Sequence, residues 1–163
     1  MSAEIPAPFI SSVMTVEPQW IDYNGHLNVA YYNVLFDRAI DELYELLGLG
    51  PDYLKTHKFS TMVAESHVRY LRELKEGDPV RVSIQVLDSD AKRIHTFEEL
   101  RHASQGWLGA TCENMTLSVD MTNKKVAPFP QFVLAKLAKL TAAHAKLARP
   151  QAAGRSVGMP RKS

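Results

Sequence analysis

Cysteine is almost absent from the chain: Cys112 is the only one in 163 residues. That excludes an intrachain disulfide and a cysteine metal cluster, and it fits a reducing compartment, so a cytoplasmic protein is expected. Neither charge sign dominates. Lys plus Arg number 19 against 18 for Asp plus Glu, and the two signs are interspersed, which leaves no basic stripe for a nucleic-acid partner. No apolar run approaches the roughly 18 residues of a membrane span, and Met1 to Pro8 shows neither a basic nor an apolar leader pattern. A soluble chain with no membrane partner is expected. The six histidines never fall at a His-x-x-x-His spacing, so neither a metal nor another cofactor is anticipated.

The length suits one domain with its own core. Phe9 to Val16 reads as a short first strand, closed by Glu17-Pro18, because proline has no N–H to give a ladder. After a polar loop, Val34, Leu35, Ala39, Ile40, Leu43, Leu46 and Leu47 recur at three- and four-residue steps, the pattern of a long helix with one apolar face. Asn28 is placed to cap its start, and Gly48, Gly50 and Pro51 end it. A short helical segment follows over Pro51 to His57. Then the period changes to alternation. Thr61 to Leu71, Val80 to Val86, Ile94 to Ala103 and Trp107 to Val119 read as strands, with turns at Gly77-Asp78-Pro79, Asp88 to Ala91 and Ser104-Gln105-Gly106. Gln131 to Leu147 carries Leu134, Leu137, Leu140 and Leu147 against Lys136, Lys139 and Lys146, a second amphipathic helix. The expected fold is α+β: an antiparallel sheet wrapped around a long central helix, with an extra C-terminal helix. Residues 1–150 form the domain, and 151–163, rich in Gly, Pro and basic residues, form an extended tail.

The loop Asp22-Tyr23-Asn24-Gly25-His26-Leu27-Asn28 sets a carboxylate, an imidazole and a glycine directly before a helix N-terminus. Free N–H groups and a partial positive charge gather there, and such donors can hold the oxyanion formed when a thioester carbonyl is attacked. Gly25 lets backbone approach a ligand closely. Asp22 then attacks directly or activates a water, with His26 and Asn28 beside it. A second reading keeps Asp22 and Asn28 as turn and cap residues, since both types commonly serve there. Glu65 and His67, two apart on a strand, share one face.

The Asp-x-x-Gly-His-x-Asn run ahead of a tyrosine-rich helix resembles the hotdog-fold enzymes of the 4-hydroxybenzoyl-CoA thioesterase type. That resemblance implies Asp22 as the catalytic carboxylate, helix N–H groups that polarise the thioester, and acyl-CoA as the partner. It also implies a homodimer or dimer of dimers, with sites at the interface.

A narrower resemblance runs through Trp20 to His26, Glu65-Ser66-His67, Leu87 to His95, Glu113-Asn114-Met115, Asp120, His144, Pro150 and Gly154-Arg155. These stretches are similar to the thioesterases of carnitine breakdown and imply hydrolysis of betainyl-CoA to glycine betaine and CoA. Ala64, Ser66 and Glu98-Glu99 depart from that pattern. For a trimethylammonium group, Trp20 and Tyr23 offer aromatic faces and Glu65 a negative charge, with His67 alongside as a substrate contact. The alternatives are a general short-chain or aromatic acyl-CoA thioesterase and a non-catalytic acyl-CoA-binding module. A hotdog hydratase would need a longer Asp/His motif that the chain does not contain.

Overall fold

The computed structural model describes residues 4–161. The expected first strand is two short pieces, β1 (Phe9–Ile10) and β2 (Met14–Thr15), both antiparallel to β4 (Pro79–Ser89). The break between them carries Ser11, whose hydroxyl accepts the Val82 N–H at 3.0 Å. A side chain thus stands in where the short strands leave the ladder.

A single turn of 3-10 helix, Pro18–Trp20, leads through the polar loop into α1 (Val29–Leu47). Asn28 caps α1, its side chain accepting the Ala30 N–H at 3.0 Å, and Gly48 ends it at φ 80 in the left-handed region that glycine tolerates. Leu35, Ala39, Leu43 and Leu47 are essentially fully buried, one residue per turn along the face that meets the sheet. Each leucine there contributes roughly 1.5–3 kcal/mol by leaving water. Tyr32, Phe36 and Tyr44 widen this buried face, whereas Leu46 is 46% exposed and lies outside it. The short helix α2 (Pro51–His57) follows as anticipated.

The remaining strands are β3 (Phe59–Tyr70), β5 (Arg93–His102), β6 (Leu108–Asp120) and β7 (Lys125–Val126). The sheet order is β1-β4-β5-β6-β3, with β2 on β4 and β7 on β6. All pairings are antiparallel. Inward positions alternate as patterned: Val80, Val82, Ile84 and Val86 on β4, and Ile94, Thr96, Glu98 and Leu100 on β5, are buried. This sheet folded over one long helix is the hotdog fold.

β3 and β4, consecutive in sequence, lie far apart in the sheet because β3 pairs with β6. The connection between them crosses the end of the domain, anchored by fully buried Leu74, whose carbonyl accepts the Leu27 N–H at 2.8 Å. Helix α3 (Gln131–His144) packs against β4 and touches α1, burying Val133, Leu137, Leu140 and His144. It ends at His144, short of Leu147. In the segment read as an extended tail, residues 151–154 make a turn, and the Gly154 N–H donates to the Glu113 carboxylate.

Candidate active site

The loop ahead of α1 is a tight reversal fixed by its own backbone. Asp22 N–H donates to the His26 carbonyl at 3.0 Å, Gly25 N–H donates to the Asp22 carbonyl at 3.0 Å, and Asn28 N–H donates to the Trp20 carbonyl at 2.9 Å. Gly25 sits at φ 83, which is why glycine occupies that corner. The Asp22 carboxylate accepts the Asn24 N–H through Oδ1 at 2.8 Å. Its other oxygen makes no hydrogen bond among the described residues, so one lone-pair face of the acid remains free.

That free face borders an open cleft of about 390 Å³ shared by Asp22, His26, Val29, Tyr32, Tyr70 and Glu73. Asn28 satisfies the N–H groups of Ala30 and Tyr31. The Val29 N–H, on the cleft wall, finds no partner among the described residues. Asp22 and Val29, the first residue of α1, therefore line one opening, a pairing of a carboxylate with a helix N-terminus that suits attack on a carbonyl and stabilisation of the resulting oxyanion. His26 Nε2 stands 3.0 Å from Glu73 Oε2. Glu73 carries no signal in the sequence because it lies on the crossing connection, whose path depends on the non-sequential strand order.

The other anticipated residues are not all gathered here. Trp20 is 5% exposed, stacked on Tyr31 with ring centroids 5.6 Å apart, and the Arg38 guanidinium lies 4.9 Å from its ring centroid. Its faces are occupied within the chain, so it clamps the loop to α1 instead of offering a free surface to a cationic ligand. Tyr23 is 97% exposed at the loop tip. Ser66 turns inward, its hydroxyl 3.5 Å from Cys112 Sγ. Alternation then directs Glu65 and His67, as a pair, to the opposite face of the sheet, away from α1. They do share a face, and it is not the helix-covered one.

A second and larger cavity, of about 620 Å³, opens between α1, α2 and the β3–β6 pair. Phe36, Tyr44 and Tyr53 supply aromatic walls, Asp37, Asp41 and Glu45 line it from α1, and Ser66, Cys112, Asn114 and Thr116 belong to its sheet side. Behind Asn114 lies Glu98, fully buried. Its Oε1 accepts from Asn114 Nδ2 at 3.0 Å and Thr96 Oγ1 at 3.2 Å, while Oε2 has no partner among the described residues. Burial pushes this carboxyl up to about 8. Burial and the neighbouring Glu98 push the Cys112 thiol up to about 12, which leaves it unreactive as a nucleophile. The inward position of Glu98 follows from the alternation of β5, and Asp37-x-x-x-Asp41-x-x-x-Glu45 is visible as a helical ladder of one charge sign.

A betainyl-CoA thioesterase of Pseudomonas aeruginosa is 38% identical over 145 residues, covering 89% of this chain and 91% of its own length. An L-carnitine dehydrogenase/betainyl-CoA thioesterase of Rhizobium meliloti is 40% identical over 147 residues, and there the match spans 90% of this chain but only 29% of the relative. Among solved structures, a hypothetical protein of Staphylococcus aureus in complex with CoA superposes with a TM-score of 0.88 at 26% identity, covering 98% of this chain and 100% of that one. The model of the thioesterase-like superfamily matches residues 16–137, from the start of the polar loop's approach to the middle of α3. The chain belongs to the thioesterase-like superfamily.

Proposed function

We propose that this protein hydrolyses an acyl-CoA thioester to the free acid and CoA, with betainyl-CoA as the substrate and glycine betaine as the acid released. The observation that carries the reading is that Asp22 and Val29, the first residue of α1, line one cleft. The names of the relatives supply the acyl group. Asp22 acts as nucleophile, forming an anhydride that water then opens, or as the base that takes a proton from the attacking water. In either route the carbonyl oxygen gathers negative charge at the start of α1, and the thiolate of CoA leaves. Glu73 orients His26 at the rim, where the imidazole can hand a proton to the departing sulfur.

The working unit is a homodimer joined along β3, with a dimer of dimers as its larger form. β3 is twelve residues long, pairs on one side only, and leaves Met62 and Val63 46% and 55% exposed. Long unpaired apolar edges are sites where a second chain adds.

Thiol release from a panel of CoA thioesters, followed with a disulfide dye, tests the reaction. Asp22→Asn keeps an oxygen for the Asn24 N–H and removes the charge, so kcat should fall about a hundredfold or more while the fold persists. A variant that retains most of its kcat returns Asp22 to a turn residue.

A further inference from the structure

We propose that the cavity between α1 and β3 is the recognition site for a fixed positive charge on the acyl group, and that it serves the Asp22 cleft of the partner subunit. The inference rests on the thioesterase reading above and assigns the specificity to Asp37, Asp41 and Glu45 with the aromatic walls of Phe36 and Tyr44.

The three carboxylates stand four residues apart on one face of α1, a spacing that brings like charges together and weakens a helix. No ion pair relieves them among the described residues. Asp41 shows the strain: its carboxyl is held above the usual range by burial, then by Asp37 and Glu45. Glu45 folds over the α1–α2 turn, so closely that a Cβ on Gly50 would fall 2.6 Å from its Oε1. Behind this charged wall, Tyr44 lines the cavity at 6% exposure, and its hydroxyl has no hydrogen-bond partner in good geometry among the described residues. Aromatic faces and carboxylates without an ion-pair partner among the described residues, gathered around one cavity, disfavour an anion and offer little to a neutral chain. They suit a quaternary ammonium group, which gives no conventional hydrogen bond and is held by ring faces and negative charge.

Geometry decides which Asp22 the cavity serves. Within one chain Asp41 lies twelve residues beyond Val29, about 18 Å along the helix. A two-carbon acyl group cannot bridge that distance. Along the free edge of β3, however, the cleft borders Tyr70 at one end and the cavity borders Thr61 and Val63 towards the other. Antiparallel pairing of β3 with a second β3 sets the two ends side by side, so each cleft meets the partner's cavity.

The test compares kcat/KM for betainyl-CoA with that for 3,3-dimethylbutyryl-CoA, which keeps the shape and loses the charge. The unmutated protein should favour the charged thioester by about tenfold or more. In Asp41→Asn, and more so in the triple variant Asp37→Asn/Asp41→Asn/Glu45→Gln, the ratio should collapse toward one, and Asp41→Glu should restore it. Equal turnover of the two thioesters by the unmutated protein, or an unchanged ratio in the triple variant with its circular dichroism intact, overturns the cation site alone. Hydrolysis of neither thioester overturns the thioesterase reading itself, and the cation site with it. Mixed dimers of Asp22→Asn and Asp41→Asn chains test the sharing. Their one competent Asp22 faces an intact Asp41 only if the site spans the two subunits, so the surviving activity should keep the charge preference. Loss of that preference in the mixed dimer overturns the shared arrangement.

Discussion

His144 Nδ1 accepts the backbone N–H of Val86 at 2.8 Å, at the place where the edge of β4 would otherwise lie open. β1 and β2 cover that edge only between Pro79 and Ile84. Beyond it the last turn of α3 takes over: His144 Nε2 donates to the Pro6 carbonyl at 2.7 Å, and Ser89 and Thr141 share a hydroxyl contact at 2.8 Å. One imidazole, with no exposed surface, thus ties the N-terminal segment, the sheet edge and the last helix together.

His144→Ala should destabilise the protein by about 2–4 kcal/mol, since it opens a cavity and strands a buried N–H. Burial holds the imidazole below its ordinary value of 6.5. The fold therefore takes His144 neutral while the unfolded chain binds the proton more readily. Its contribution is complete above about 6.5 and is lost as the pH falls below that. Thermal melts from pH 7.5 to pH 5 should show wild type and His144→Ala converging.

Much of this architecture is legible in the residues. The three-and-four spacing from Val34 to Leu47 marks α1, Asn28 and Gly48 mark its ends, and alternation marks β4 and β5, because each signal is local. The strand order is not local. Nothing near β3 says that it pairs with β6 rather than β4, and the position of Glu73 beside His26 depends on that crossing. Asp22, Gly25 and His26 were legible as one loop for the same reason that α1 was. The surroundings of Trp20 are not legible, because an aromatic residue near an acid looks alike in sequence whether its faces are free or, as here, packed against Tyr31 and Arg38.

Glu98 should give a pH dependence of the opposite sign from His144. Its carboxyl is pushed up to about 8 from an ordinary 4.5, so the fold holds it protonated where the unfolded chain has ionised it. Its contribution is present below about 4.5 and is lost as the pH rises through about 8. Glu98→Gln keeps an oxygen for Asn114 and cannot ionise. Stability at pH 5 should be close to wild type, and by pH 9 the variant should be the more stable by a few kcal/mol. A lead that does not grow with pH would mean that the buried acid is already ionised in the fold.

Asn28 offers a way to separate capping from chemistry. Asn28→Ala removes the acceptor for the Ala30 N–H and should cost about 1 kcal/mol of stability. Asn28→Ser keeps a capping oxygen and should recover most of it, together with kcat. If Asn28→Ser restores the melting temperature yet leaves kcat low, the amide does more than cap α1.

The free side of β3 carries the strongest expectation about assembly. A twelve-residue strand paired among the described residues only with β6, with Met62, Val63 and Tyr70 all more than 40% exposed along it, would be an aggregation hazard in an isolated chain. Pairing with a second copy removes the hazard and covers those side chains. Sedimentation velocity at micromolar concentration should therefore show a species of twice 18.3 kDa or a multiple of it. Met62 points away from α1 and lines neither the cleft nor the larger cavity, so Met62→Arg places a charge on the pairing surface without touching either. It should shift the population toward monomer and lower kcat/KM at least about tenfold at low protein concentration, with activity returning as the concentration rises and the edges pair again. A wild-type monomer with full activity would show that each chain carries a complete site and that the β3 edge is protected in some other way.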